Sequence, residues 1–146
     1  MKYTRSLTDS VRTPHSLLRY IEKEYGSFYD PCPLNTNYEI DGLKLNWETE
    51  MIKQNKNIIY INPPYSDVKD WILKSNTLKH LTIVYLLKNE CMGSKYWREL
   101  QGPYDIQLIT PHIMFPGYAR KARFANFFLI RGPMTSNSVT FLHREK

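Results

Sequence analysis

The sequence has 146 residues, 42% of them hydrophobic, which is enough for one domain with one sizeable core and too many for a disordered chain. Its net charge of +6 favours a polyanionic partner such as nucleic acid. The two cysteines, Cys32 and Cys91, argue against a zinc site and a disulfide framework, and no apolar run reaches the length of a membrane span, so we expect a soluble, intracellular protein.

The first part of the chain carries one predicted helix and one short strand. Residues 1–12 form a polar arm without hydrophobic periodicity. Thr13 and Pro14 then predict the start of a helix, with Thr13 as its N-cap and Pro14 at its first position, and Gly26 predicts its end. Phe28–Tyr29 is expected as a short strand, which would place the next residues at the edge where open α/β sheets bind ligands.

The stretch Asp30-Pro31-Cys32-Pro33 follows that strand. The carboxylate of Asp30 could bind the ammonium of an amino-acid-like cofactor or a sugar hydroxyl, but it could equally cap the amides of a turn. Cys32 has no base or cation beside it in sequence that would activate a thiol, which favours a small buried side chain over a nucleophile. Asp41, in Asp41-Gly42-Leu43, could accept a hydrogen bond from an adenine amino group, although Asp-Gly is also an ordinary turn.

The strongest motif is Asn62-Pro63-Pro64-Tyr65, which directly follows the predicted buried strand Ile58–Ile61. The two prolines lack backbone N–H groups, so carbonyls near them can accept hydrogen bonds from a ligand. The Asn62 amide oxygen, a carbonyl of the turn and the Tyr65 ring could together hold a planar –NH2 group. The alternative is a plain proline turn in which Tyr65 only packs.

The second half of the chain alternates strand-like and helix-like segments. Helices are expected after Ser66 or Asp67 and at Ser94–Leu100. The predicted strands are Leu81–Leu87, Asp105–Ile109, Ile113–Phe115, Phe124–Ile130 and an edge strand at Ser138–Leu142. This alternation predicts an α/β fold with a largely parallel sheet.

A basic loop is predicted at Tyr118–Arg123, between two aromatic segments. Its cations are Arg120, Lys121 and Arg123, and they are surrounded in sequence by the aromatic residues Phe115, Tyr118 and Phe124. This pattern suits phosphate contact combined with base stacking. A solvated surface loop fits the same pattern equally well. The four histidines show no metal-ligand spacing, and a glycine-rich phosphate loop is missing, so neither a metal nor a dinucleotide cofactor is predicted.

The order of these motifs resembles S-adenosylmethionine-dependent amino methyltransferases, and more closely the phage DNA N-6-adenine methyltransferase family, from about Arg12 to Ile130. The resemblance implies a compact Rossmann-like fold with a mostly parallel sheet, formed by residues 1–146 as one methyltransferase domain without a separate target-recognition domain. Because the segment between Asp30 and Asn62 is short, the sheet could lack strands on that side.

The resemblance also implies a function: methyl transfer from S-adenosylmethionine to the exocyclic N6 of a flipped-out adenine in DNA, in the cytoplasm of a bacterial cell that hosts a phage or prophage. The implied catalytic residues are Asn62, Pro63, Pro64 and Tyr65. The implied cofactor-binding residues are Thr13, Pro14, Asp30, Pro31, Cys32 and Asp41. The implied DNA-binding residues are Phe115, Arg120, Lys121 and Arg123. A homodimer is compatible with the sequence, and two alternatives stay open: methylation of another planar amino group, in RNA or on a protein glutamine, and an inactive nucleic-acid-binding relative.

Overall fold

The computed structural model describes residues 11–33 and 41–144, and within them one six-stranded sheet is flanked by three α-helices. The helices are α1 (His15–Tyr25), α2 (Trp47–Lys53) and α3 (Val68–Leu73). The strands are β1 (Phe28–Tyr29), β2 (Ile58–Ile61), β3 (Ile83–Lys88), β4 (Tyr104–Thr110), β5 (Asn126–Arg131) and β6 (Val139–His143). The predicted N-terminal arm lies, up to residue 10, outside the described residues.

The sheet has the strand order β1-β2-β3-β5-β4-β6 and is mixed. Three neighbouring pairs are parallel (β1–β2, β2–β3 and β4–β6), whereas β5 is antiparallel to both β3 and β4. This corrects the expectation of a largely parallel sheet: the chain after β4 turns back and inserts β5 between β3 and β4. Five strands still share one direction, so their carboxyl ends meet at one edge. Among the described residues between Asp30 and Asn62, β2 is the only strand.

Side chains alternate between two buried faces of the sheet. On the face toward α2 and α3, the rings of Trp47 and Trp71 stack with centroids 5.9 Å apart. The other face, which we call the α1 face, is covered by α1. Along β2, Ile61 lies on the face toward α2 and α3, and Tyr60 lies on the α1 face, as the two-residue period of a strand requires.

The start of α1 differs from the prediction. The helix begins at His15, and its N-cap residue is Pro14, which makes no side-chain capping bond, so Thr13 is not the N-cap. Thr13 points inward instead and is only 7% exposed. The predicted end is confirmed: Gly26 has φ of 109°, a conformation that favours glycine.

Two other predicted elements take a different form. The segment predicted as a helix at Ser94–Leu100 is a 3₁₀ helix over Lys95–Glu99, and these five residues are too few for a regular α-helix. Ile113–Phe115 forms no strand, and the Ile113 carbonyl accepts from the Ala122 amide of the following loop (2.8 Å). The longest helix in the described part of the chain, α1, has 11 residues, and no helix there is long and apolar enough to cross a membrane.

Candidate active site

Three polar residues lie at the shared edge of the sheet, at the carboxyl ends of neighbouring parallel strands. Asp30 follows β1, Asn62 follows β2, and Lys88 is the last residue of β3. Lys88 comes two residues after Leu86 of the α1 face, and Asn62 comes two residues after Tyr60. The two-residue period therefore directs Asn62 and Lys88 to the α1 face, near the segment that precedes α1.

The amide of Asn62 is held in one orientation. Its Nδ2 donates to the Val11 carbonyl (2.7 Å) and to the Thr13 hydroxyl (3.2 Å). Because a carbonyl can only accept, the atom facing Val11 must be the amide nitrogen. The amide oxygen of Asn62 therefore points away from these anchors and is available as an acceptor.

A buried hydroxyl pair supports this arrangement. The Thr13 hydroxyl and the Tyr60 phenol are 2.8 Å apart. Burial raises the pKa of Tyr60 well above its usual value, so the phenol is neutral, and the hydrogen bond with Thr13 opposes this shift only in part. The chain Tyr60–Thr13–Asn62 thus links the strand interior to the amide at the edge.

The two prolines of the motif are buried, and Tyr65 begins a 3₁₀ turn over Tyr65–Asp67. The Pro64 carbonyl accepts from the Asp67 amide (3.1 Å) and closes this turn. Within the described residues no hydrogen bond is made to the Pro63 carbonyl, which leaves it as the second acceptor beside the Asn62 oxygen. The motif thus presents an amide oxygen and a carbonyl oxygen that can accept hydrogen bonds, and their role toward a ligand stays a prediction.

The Tyr65 ring contacts an aromatic and a cationic neighbour. The ring of Phe124 meets it edge-on, with centroids 5.9 Å apart and an interplanar angle of 82°. The Lys88 ammonium lies 3.8 Å from the Tyr65 centroid and 4.3 Å from that of Phe124. The slot beside Tyr65 is thus shaped by two rings and holds one positive charge.

One cavity, of about 220 Å³, opens between the motif and the start of α1, and we call it the Asp30 cavity. It is lined by Val11, Arg12, Thr13, Leu18, Phe28, Asp30, Cys32, Pro33, Tyr60 and Asn62. Asp30 accepts from the Cys32 amide through Oδ1 (2.8 Å), so it both supports the turn after β1 and contributes a carboxylate to the cavity. Arg12 contributes a guanidinium, which gives the cavity charges of both signs.

Three predicted cofactor residues do not line this cavity. Pro14 and Pro31 neighbour residues that do. Asp41 caps a 3₁₀ turn, since its Oδ1 accepts from the Leu43 amide (3.0 Å). Gly42 packs so closely on this region that a Cβ there would lie 1.9 Å from the Pro31 carbonyl oxygen, and this contact fixes the turn against the Asp30 segment.

A second cavity, of about 510 Å³, lies on the other side of the motif, and we call it the basic cavity. It is lined by Val11, Tyr65, Lys88, Phe115, Tyr118, Ala119, Arg120, Lys121, Ala122, Arg123 and Phe124. All four predicted DNA-binding residues belong to it. Phe115 is buried at its floor, 6.3 Å from the ring of Phe124, whereas the three predicted cations are exposed.

The basic loop is fixed at its base. The Ala122 amide donates to the Ile113 carbonyl (2.8 Å), and His112 Nδ1 donates to the Ala122 carbonyl (2.8 Å). The Tyr118 amide donates to the Phe115 carbonyl (3.1 Å). These contacts hold the exposed cations at the rim of the basic cavity.

The two cavities meet at the motif. Val11 lines both of them, Asn62 lines the Asp30 cavity, and Tyr65 lines the basic cavity. Such an arrangement can hold a small zwitterionic molecule on one side and a planar ring on the other, with amide and carbonyl acceptors at their junction. In the described part of the chain, no group of three His, Cys, Asp or Glu side chains could hold a metal ion.

Three residues of the site were not predicted: Arg12, Tyr60 and Lys88. Lys88 could have been found from strand alternation, because it lies two residues after Leu86 and therefore on the same face of β3. The roles of Arg12 and Tyr60 depend on contacts with residues distant in sequence, which no local pattern indicates.

A family model described as DNA N-6-adenine-methyltransferase (Dam) matches residues 2–127 of the 146-residue chain. The matched span contains every residue that lines the two cavities, and it ends within β5, before β6. A comparison with individual curated proteins gives no match.

Proposed function

The chain belongs to the DNA N-6-adenine-methyltransferase family, and on that premise we propose that it methylates the exocyclic N6 of adenine in DNA with S-adenosylmethionine as the donor. The observation that carries the proposal is the fixed amide of Asn62, whose oxygen is available at the junction of the two cavities. Residues 1–146 would act as one methyltransferase domain, with loops supplying the contacts to DNA.

The Asp30 cavity suits the charged end of S-adenosylmethionine. Its carboxylate (Asp30) and its guanidinium (Arg12) match the ammonium and the carboxylate of an amino acid. Its volume of about 220 Å³ is below the roughly 300–1,000 Å³ of sites that enclose a whole ligand, so it would hold one end of the cofactor. When bound, S-adenosylmethionine would supply an electrophilic methyl group carried on a sulfonium.

The Asn62–Tyr65 motif would bind and orient the N6 amino group that accepts the methyl group. The Asn62 oxygen and the Pro63 carbonyl would accept the two N6 hydrogens, which concentrates electron density on the nitrogen as it attacks. The Tyr65 ring would stack on the base and orient it. Fixing the amino group in this way lowers the entropic part of the barrier, and no covalent bond between protein and base is required.

The basic cavity suits a base attached to a phosphate backbone. Its volume of about 510 Å³ lies within the usual range for a ligand site, and exposed cations surround its opening. A base inside a duplex cannot reach such a cavity, so we propose that the adenine is flipped out of the helix, at a cost of about a few kcal/mol. Contacts between phosphates and the cationic loop would offset part of this cost.

The decisive experiment measures single-turnover methylation of adenine-containing DNA with labelled S-adenosylmethionine, with the product identified by mass spectrometry. We expect N6-methyladenine from the wild-type protein and a rate about 10² to 10³ lower for Asn62→Ala, since one preorganised contact to the reacting group is lost. Asn76→Ala is the matched control, because Asn76 binds the Glu99 carbonyl away from the motif.

Variants of Tyr65 test the stacking role in the same assay. Tyr65→Phe should retain most of the activity, while Tyr65→Ala should lose stacking energy of about 1–3 kcal/mol and bind DNA more weakly. Label in RNA or protein, with none in DNA, would favour another planar amino group as substrate. A folded protein that binds DNA but labels none of these substrates would contradict the proposal and favour an inactive relative.

A further inference from the structure

The Lys88 ammonium lies over the Tyr65 ring, and both residues line the basic cavity. Its Nζ is 3.8 Å from the Tyr65 centroid and 4.3 Å from the Phe124 centroid, inside the basic cavity. The side chain is 21% exposed, so most of it is enclosed by the cavity wall. An ammonium between two aromatic rings is a favourable cation–π arrangement, and it fills the slot beside the motif.

We propose that Lys88 is a positioning residue whose ammonium occupies the base slot in the unbound protein and moves to a DNA phosphate when the base enters. This inference rests on the proposed function, and it names the group that the entering base must displace.

The ammonium and a stacked base cannot share the slot. Stacked rings have centroids about 4.5–7 Å apart, so a base on Tyr65 would need the volume that the Lys88 ammonium fills. The positive charge of Lys88 is a second reason why the ammonium must leave the slot, because the N6 nitrogen becomes positive as it gains a methyl group. A lysine left beside it would oppose that charge.

A comparison with another lysine of the same chain indicates that Lys88 can be displaced. Lys74 also lies over an aromatic ring, with Nζ 4.4 Å from the Trp47 centroid, but it donates to the carbonyls of Leu43 (2.5 Å) and Leu45 (2.7 Å). Lys88 makes no such hydrogen bond with the described residues. Its nearest charged partner there is Glu90, 3.7 Å away and 72% exposed. Contacts with ring faces and one solvated carboxylate are weak enough to be exchanged.

The destination of the ammonium follows from its surroundings. The rim of the basic cavity carries Arg120, Lys121 and Arg123, all exposed, and its lining residues include no acidic side chain. A backbone phosphate attached to the entering base would therefore approach the same cavity. Leaving the rings for that phosphate would keep the ammonium paired with a negative charge.

The test uses Lys88→Met, which keeps an unbranched apolar stem up to the ε position and removes the ammonium with its charge. The methylated adenine is first mapped with the wild-type protein, and 2-aminopurine then replaces it, since fluorescence of this base rises when it leaves the stack. We expect the fluorescence of the saturated complex to increase about threefold or more over wild type, because no cation holds the slot. The negative slope of log K against log salt should also become shallower by about 0.9, the value for one lost phosphate contact.

Both changes are required. Equal fluorescence for Lys88→Met and wild type, lower fluorescence, or an unchanged salt slope would each overturn the inference. Lys69→Met, which removes an exposed charge on α3, is the control and should leave both quantities unchanged. Lys88→Gln serves as a second neutral variant if Lys88→Met does not fold. If the wild-type protein methylates DNA and Lys88→Met changes neither quantity, the proposed function stands and the inference about Lys88 is refuted. A wild-type protein that neither methylates adenine nor flips it out of the helix would refute the proposed function and the inference together.

Discussion

Replacing Thr13 by valine would test how the amide of Asn62 is held. The substitution keeps the β-branched shape and removes one hydroxyl, which lies 2.8 Å from the Tyr60 phenol and accepts from Asn62 Nδ2 at 3.2 Å. Tyr60 would lose its buried partner, while Asn62 would keep its bond of 2.7 Å to the Val11 carbonyl. The same change should therefore affect stability through Tyr60 and catalysis through Asn62.

The magnitudes follow from these contacts. A buried hydroxyl left without a partner costs about 1–3 kcal/mol, so Thr13→Val should lower the free energy of unfolding by that amount. The bond to Asn62 is long and neutral, with a value of about 0.5–1.5 kcal/mol, which corresponds to a rate decrease of about two- to tenfold. This is well below the decrease of 10² to 10³ expected for Asn62→Ala, because the shorter bond to Val11 still orients the amide.

A double-mutant cycle measures the stability effect. Urea unfolding of Thr13→Val, Tyr60→Phe and the double variant should show that the double variant is more stable than the sum of the single changes predicts, because no unpaired hydroxyl remains. Additive effects would mean that the two hydroxyls do not interact. In single-turnover methylation, a rate for Thr13→Val as low as that for Asn62→Ala would mean that Val11 alone does not orient the amide.

Two further predictions concern the two cavities. Asp30→Asn should weaken the binding of S-adenosylmethionine at least tenfold in calorimetry, which corresponds to about 1.4 kcal/mol for the loss of a charge-assisted bond. Equal affinity would mean that Asp30 does not bind the cofactor. Asp70→Asn, on the exposed side of α3, is the control. Neutralising the loop cations Arg120, Lys121 and Arg123 should make the salt dependence of DNA binding shallower by up to about 0.9 per lost contact, whereas neutralising Lys53, the exposed last residue of α2, should not.

The elements that sequence predicts best are those with strong local patterns. The strand β2 has the predicted bounds Ile58–Ile61, because a short β-branched run is ended sharply by Pro63-Pro64. β6 was also expected as an edge strand and is one. The reversed direction of β5 could not be predicted, since an apolar run such as Phe124–Ile130 reads the same in either direction.

In the candidate site, too, sequence predicts the residues that belong to a local motif and misses those that depend on distant contacts. Its motif residues are local, so Asn62 and Tyr65 stand out in the sequence. The function of the Thr13 hydroxyl depends on Tyr60, 47 residues away, and only the docking of α1 on the sheet brings the two together. Sequence alone suggested a helix cap for Thr13 because that role requires no distant partner.

The two cavities differ in charge, and this difference would direct the zwitterionic ligand and the nucleic acid to different cavities. The net charge of +6 acts weakly at a distance, because salt at physiological concentration screens charges beyond about 8 Å. The charges that line each cavity therefore decide which ligand enters it. The Asp30 cavity combines one carboxylate with one guanidinium, which suits a zwitterion, whereas the lining of the basic cavity combines cations with aromatic rings and no acid. A polyanion that carries a planar base would accordingly enter from the basic side, with Asn62 between it and the zwitterionic ligand.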